Sequence, residues 1–198
     1  MTHSDAYTTY ICCSSIGHLI IDALTLRLGI PLLTERTGYV ATTSLQVGKD
    51  QVTFTFFKPS MTLLLVMVNC IWTDRTVAGA FMNLSGEPVV KMLRKTAVNP
   101  ANMIVVVDDL DRKPCTISPK FGGSPNGHNG VRSVIAALGN EKNFHRLRLG
   151  IGRDDTDPSE YVLGPLSIQE LEHWSVTGPG SEAVWKELTR IVQKSLKT

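Results

Sequence analysis

An apolar, largely β-branched run from Met103 to Val107 stops abruptly at three carboxylates, Asp108, Asp109 and Asp111. No other stretch constrains the fold so much. Apolar residues in succession, without alternation, are what a strand buried on both faces of an α/β sheet requires. Open α/β sheets place ligands beyond the carboxyl ends of such strands, and the carboxylates stand at that end. A second short strand is expected from Thr116 to Pro119, followed by the loop G-G-S-P-N-G-H-N-G, residues 122–130. Gly122, Gly123, Gly127 and Gly130 let this loop take positive φ and approach a substrate closely, while Asn126, His128 and Asn129 carry polar side chains with it. Val131, Val134, Ile135 and Leu138 recur at helical spacing, so a helix begins just after Gly130 and points its free N–H groups at the same place. Each half also has an ordinary explanation. An acidic cluster is a common solvated turn or cap, and the glycine loop lacks the G-K-[ST] ending of a P-loop.

The rest of the chain alternates between the two periodicities. Ile16, Leu19, Ile20, Ala23, Leu24 and Leu28 follow helical spacing, closed by Gly29 and Pro31. Gly38 to Val47 and Val52 to Phe57 have the pattern of two strands joined by a turn at Gly48-Lys49-Asp50, and Lys58-Pro59 stops the second. Ser85 is placed to cap a short helix carrying Val89, Val90 and Leu93, which ends before Asn99-Pro100. Leu147, Leu149 and Ile151 alternate with Arg148 and Gly150 as a further strand, and Asp154 to Ser159 is a polar loop. A short helix is expected from Ser167 to His173, broken by Gly178-Pro179-Gly180. Ala183, Val184, Leu188, Ile191 and Val192 then mark a final amphipathic helix.

At 198 residues, 42% hydrophobic and 19% charged, the chain has the composition of one soluble globular domain spanning residues 1–198. A formal net charge of +2 does not by itself imply a nucleic-acid partner. Local clusters would have to supply one: Lys142, Arg146, Arg148 and Arg153, and then Lys186, Arg190, Lys194 and Lys197. A solvated basic face explains either cluster equally well. Cys12, Cys13, Cys70 and Cys115 form no C-x-x-C pair and have no zinc-like histidine spacing, so they are read as reduced thiols. The first residues lack the Lys or Arg of a secretory n-region or a transit peptide. The run Leu63 to Trp72 is too short to cross a membrane.

Six segments in fixed order resemble the bacterial-type peptidyl-tRNA hydrolase family. They are K-P-S at 58–60, A-F-M-N-L-S-G at 80–86, V-D-D-L-D at 107–111, the loop at 122–130, N-F-H-R-L-R-L-G-I-G at 143–152 and Y-V-L-G at 161–164. The resemblance implies a single-domain α/β fold with a mixed central β-sheet flanked by helices. It also implies hydrolysis, by activated water, of the ester joining a peptide to the 3′ ribose of tRNA. Peptidyl-tRNA is then the partner, with no metal, no organic cofactor, no membrane and no obligatory protein partner, in a monomer of the cytoplasm or mitochondrion. Asp108 matches the aspartate that partners the family's histidine base. Phe81, Asn83, His128 and Asn129 match its substrate- and water-positioning residues. The basic C-terminal helix and the arginines near Arg146 would contact phosphates without reading bases.

Three departures accompany the match. The family's N-terminal strand and its G-N-P-G turn have no counterpart, so the first sheet strand and one asparagine are expected to be missing. Ser14 stands where the catalytic histidine belongs, and a hydroxyl is no base at neutral pH. His18 lies one helical turn further, about 5 Å away, too far to inherit the same hydrogen bonds, and is expected to be a partly buried helix residue. The alternative is therefore a catalytically impaired tRNA-binding homologue; a more distant rival is a nucleotide-binding protein that uses the glycine loop as an anion nest. Thirdly, Met61 to Gly79 interrupts a motif that becomes contiguous when the segment is removed. As a surface loop it would expose a large apolar patch, so we read it as translated intron in a eukaryotic gene. A spliced transcript that still encodes the segment would refute that reading.

Overall fold

The structure is a computed structural model and describes residues 6–12, 15–59, 85–162 and 164–197. Ser14, Phe81, Asn83 and the 61–79 segment lie outside the described residues.

Among the described residues seven strands form one sheet: β1 (Ala6–Cys12), β2 (Leu33–Glu35), β3 (Gly38–Val47), β4 (Asp50–Pro59), β5 (Met103–Asp109), β6 (Ile117–Phe121) and β7 (His145–Gly150), in the order β2-β3-β4-β1-β5-β7-β6. The strands β4, β1, β5 and β7 run parallel, so their carboxyl ends share one edge, while β3 and β6 pair antiparallel on either side. This is the mixed sheet the resemblance implies. One expectation is corrected: the first strand is present. Ala6–Cys12 pairs with β4 from Ala6↔Val52 to Ile11↔Phe57, and with β5 from Thr9↔Met103 to Cys12↔Val106, which puts β1 at the sheet centre. The signal was in the composition, since Tyr7-Thr8-Thr9-Tyr10-Ile11 is all β-branched or aromatic. Motif matching missed it because the strand pairs without the family's turn sequence.

The β5 run is buried on both faces, as its composition requires. Met103, Ile104 and Val105 are fully buried, and Val106 and Val107 nearly so. Ile104 and Val106 join a core formed with α1 (Ser15–Arg27) and the C-terminal helices, whereas Met103, Val105 and Val107 pack with α2 (Gly86–Thr96) and α3 (Asn129–Ala137). The 10-residue strands β3 and β4 meet at Gly48, whose φ of 67° suits a two-residue hairpin turn. Pro119 is tolerated because β6 is an edge strand.

Helix boundaries depart from expectation where a cap or proline was misjudged. Ser85 precedes α2 but makes no capping bond, because its own backbone is already helical (φ −61°, ψ −22°). The Gly86 N–H instead donates to Ser133 Oγ of α3 at 3.0 Å. A Cβ on Gly86 would overlap the Ser133 carbonyl and stand 2.7 Å from Ala137 Cβ, so only glycine lets α2 and α3 approach this closely. The Asn99-Pro100 break is a short 3₁₀ turn capped by Asn99. The polar loop from Asp154 runs into α4 (Pro158–Tyr161). Ser167 and Glu170 form a reciprocal capping box on α5 (Ile168–Trp174). Helix α6 (Pro179–Ser195) begins at Pro179, the favoured first helical position, so Gly178-Pro179-Gly180 is its start. No helix among the described residues is long and apolar enough to cross a membrane.

Candidate active site

Strand β5 delivers Asp108 and Asp109 to the parallel edge of the sheet, and the 122–128 loop returns to meet them. Asp108 is only 9% exposed although charged. His128 is the N-cap of α3, with an extended backbone (φ −69°, ψ 112°) that turns its ring back toward the helix. Its Nδ1 accepts the Val131 N–H at 3.2 Å, and its Nε2 lies 3.2 Å from Asp108 Oδ1. A nitrogen that accepts carries a lone pair, so the ring proton resides on Nε2 and is donated to Asp108. Neither ring nitrogen is left over to act as a base.

These groups border a cleft of about 630 Å³, within the range of ligand sites. Its walls are the end of β5 with the two residues after it, from Val107 to Asp111, the stretch from Pro125 to Asn129 that leads into α3, and the arginines Arg146, Arg148 and Arg153, with Asp157, Pro158 and Val162 beside them. Asn129 opens α3 and is exposed, and Asn126 stands at φ 49° with an exposed side chain. Of the sequence-predicted site residues the structure therefore unites Asp108, His128 and Asn129; Phe81 and Asn83 lie outside the described residues. His18 is half-buried on α1, as expected, and is not among the described residues lining the cleft.

The charged wall is internally paired. Asp109 Oδ2 lies 3.4 Å from Arg148 Nη1 and 3.8 Å from Arg112 Nε. Arg148 Nη2 also donates to Ser118 Oγ at 2.8 Å. Arg153 faces Asp111 at 3.7 Å with both side chains exposed, a pair worth little in solvent. Burial first, and then the neighbouring Arg146 and Arg148, lower the pKa of Lys120. Among the described residues no group of three His, Cys, Asp or Glu side chains could hold a metal ion.

Arg146 corrects the expectation that the arginines of this segment meet phosphate. It is 2% exposed. Its Nη1 donates to Ser124 O at 2.6 Å, and its Nη2 donates to Gly123 O at 3.1 Å and to Gly122 O. The strand pattern hid this role. Arg146 is buried on β7 against the 122–124 loop, and a buried guanidinium must find internal acceptors. The glycine-rich loop nearby was the available signal.

The family model for peptidyl-tRNA hydrolase matches residues 76–198, more than half of the chain. The chain is 45% identical over 94 residues to the peptidyl-tRNA hydrolase of Shewanella frigidimarina (strain NCIMB 400), an alignment covering 46% of this chain and 48% of that one. It thus spans about half the length of the curated relative it matches. Among solved structures, the peptidyl-tRNA hydrolase of Acinetobacter baumannii superposes with a TM-score of 0.71 at 22% identity, covering 100% of this chain and 94% of that one. A point mutant of that enzyme gives 0.72 with the same identity and coverage. At that identity the superposition speaks for the fold, and the matched profile, which contains both the β5 carboxylates and the glycine loop, speaks for descent. The chain belongs to the peptidyl-tRNA hydrolase family.

Proposed function

We propose that the chain, acting as a single-domain monomer in the cytoplasm or mitochondrion, hydrolyses the ester between a peptide and the 3′ ribose of tRNA. The observation that carries the reading is the pairing of Asp108 with His128 across the mouth of a cleft at the carboxyl end of β5. Ester hydrolysis needs a positioned water, a proton acceptor for it and donors for the oxyanion. In this reading Asp108 is the aspartate of the base position, Asn83 and Asn129 place water and substrate, and Phe81 contacts the substrate. Asn129 lies in the first turn of α3, where the free N–H groups favour developing negative charge. Arg148 and Arg153 on the cleft wall, with Lys186, Arg190, Lys194 and Lys197 along α6, supply phosphate contacts that are independent of tRNA sequence.

The base position is occupied by Ser14, which cannot accept the proton at neutral pH. Losing a general base slows hydrolysis on the order of 10²–10⁴-fold. The test is cleavage of an N-blocked aminoacyl-tRNA by the parent chain, Ser14→His and Asp108→Asn. We expect slow cleavage by the parent, a gain with Ser14→His and loss with Asp108→Asn. Salt-sensitive tRNA binding with no cleavage by either the parent or Ser14→His would replace this reading with a non-catalytic tRNA-binding homologue.

A further inference from the structure

We infer that Arg146 is a positioning residue, whose buried guanidinium sets the glycine loop so that His128 meets Asp108. The kinetic consequence rests on the proposed hydrolase reading; the structural one does not.

Arg146 stands on β7, paired with β5 on one side and β6 on the other, and its side chain is buried, so its charge is placed inside the protein. No carboxylate answers it in the hydrogen-bond pattern. Its hydrogen-bonded acceptors are three consecutive loop carbonyls, those of Gly122, Gly123 and Ser124. Gly122 and Gly123 adopt φ of 62° and 81°, a left-handed pair that turns those carbonyls inward. From there a continuous set of bonds reaches the cleft. Ser124 Oγ accepts the Asn126 N–H at 3.3 Å, Pro125 O accepts the His128 N–H at 3.1 Å, and His128 Nε2 donates to Asp108. Only three residues separate Ser124 from His128, so a shift of the carbonyls carries directly into the imidazole. A lysine would keep the charge but not the planar fork that reaches several acceptors at once. With 2% of its surface exposed, Arg146 is also withdrawn from any phosphate outside.

The experiment uses the full chain with Arg146→Lys and Gly123→Ala. At Gly123, an exposed loop position, a Cβ would stand 3.4 Å from Lys120 Cε and 3.8 Å from Arg146 Nη2, at a φ that L side chains rarely adopt. Two readouts are taken: the imidazole ¹⁵N shifts of His128, which report the tautomer, and kcat, KM and their salt dependence for an N-blocked aminoacyl-tRNA. We expect both variants to lose the single Nε2–H tautomer and to lose about 10²-fold in kcat, the cost of misplacing a catalytic array by about 1 Å, with KM and its salt slope unchanged. A raised KM with a shallower salt slope and intact kcat would make Arg146 a phosphate contact. Unchanged tautomer and kcat in both would reduce it to a plug beneath the sheet edge. Should Arg146→Lys fail to fold, Gly123→Ala decides alone. A parent chain that cleaves no ester would overturn the hydrolase reading, while the tautomer still tests the positioning role.

Discussion

One imidazole makes two bonds of different kinds, and substitution at His128 can separate them. Through Nδ1 the ring caps α3, and through Nε2 it donates to a carboxylate. Removing a side-chain cap costs about 1 kcal/mol, within a range of roughly 0.5–2. A hydrogen bond to a charged partner contributes about 1.5–3 kcal/mol. The His128 and Asp108 side chains are only 13% and 9% exposed, so solvent screening removes little of the second figure. His128→Ala should therefore lose about 2.5–4 kcal/mol of stability. His128→Asn keeps a capping oxygen but cannot reach Asp108, and should lose about 1 kcal/mol less than the alanine variant. For a chain of this size that difference is about 2–4 °C in Tm. Urea unfolding of both variants, of Asp108→Asn and of the double variants gives the coupling between the two side chains directly. Equal stability of the alanine and asparagine variants would mean that Nδ1 does not cap the helix, and the tautomer assignment would fall with it. A coupling near zero would mean that the 3.2 Å approach to Asp108 is contact without a bond.

Gly86→Ala should destabilise by about 1–3 kcal/mol, because the new methyl overlaps the Ser133 carbonyl, whereas Ser133→Ala should cost only about 1 kcal/mol for the lost acceptor; a Gly86→Ala chain as stable as its parent in urea would refute the close packing of α2 on α3. His145 has its pKa lowered from 6.5 by burial first and by Lys194 second. Protons then bind the unfolded chain better, so this contribution to stability is present above pH 6.5 and is lost as pH falls through the folded value. His145→Phe should flatten that dependence, and parallel stability–pH curves for variant and parent between about pH 7.5 and 5 would refute it. Lys186→Met and Lys194→Met should each weaken tRNA binding across all sequences and reduce the salt slope by about one, and an unchanged slope would remove α6 from the phosphate-contacting surface.

The Met103–Val107 run could be recognised as a two-faced strand because every residue in it is apolar, a property that survives whatever its neighbours are. The positions of β3, β4, β7 and α1 follow in the same way from local periodicity. The convergence of Asp108, His128 and Asn129 on one cleft was also legible, since strand-end carboxylates and a glycine loop running into a helix each have a geometric consequence. Pairing was not. Strand β1 enters the sheet through backbone bonds to β4 and β5, which no side-chain motif encodes. Ser85 has the composition of a cap, yet Ser133, 47 positions beyond Gly86, takes the Gly86 N–H. Arg146 looked like a surface cation until the carbonyls of residues 122–124 closed on its guanidinium. By itself the sequence determined most of the segments that coil or extend and where the polar side chains cluster, because those follow from spacing along the chain. Only the tertiary structure decided which partners the buried polar groups find, because an unpaired buried group is costly and its partner lies across space.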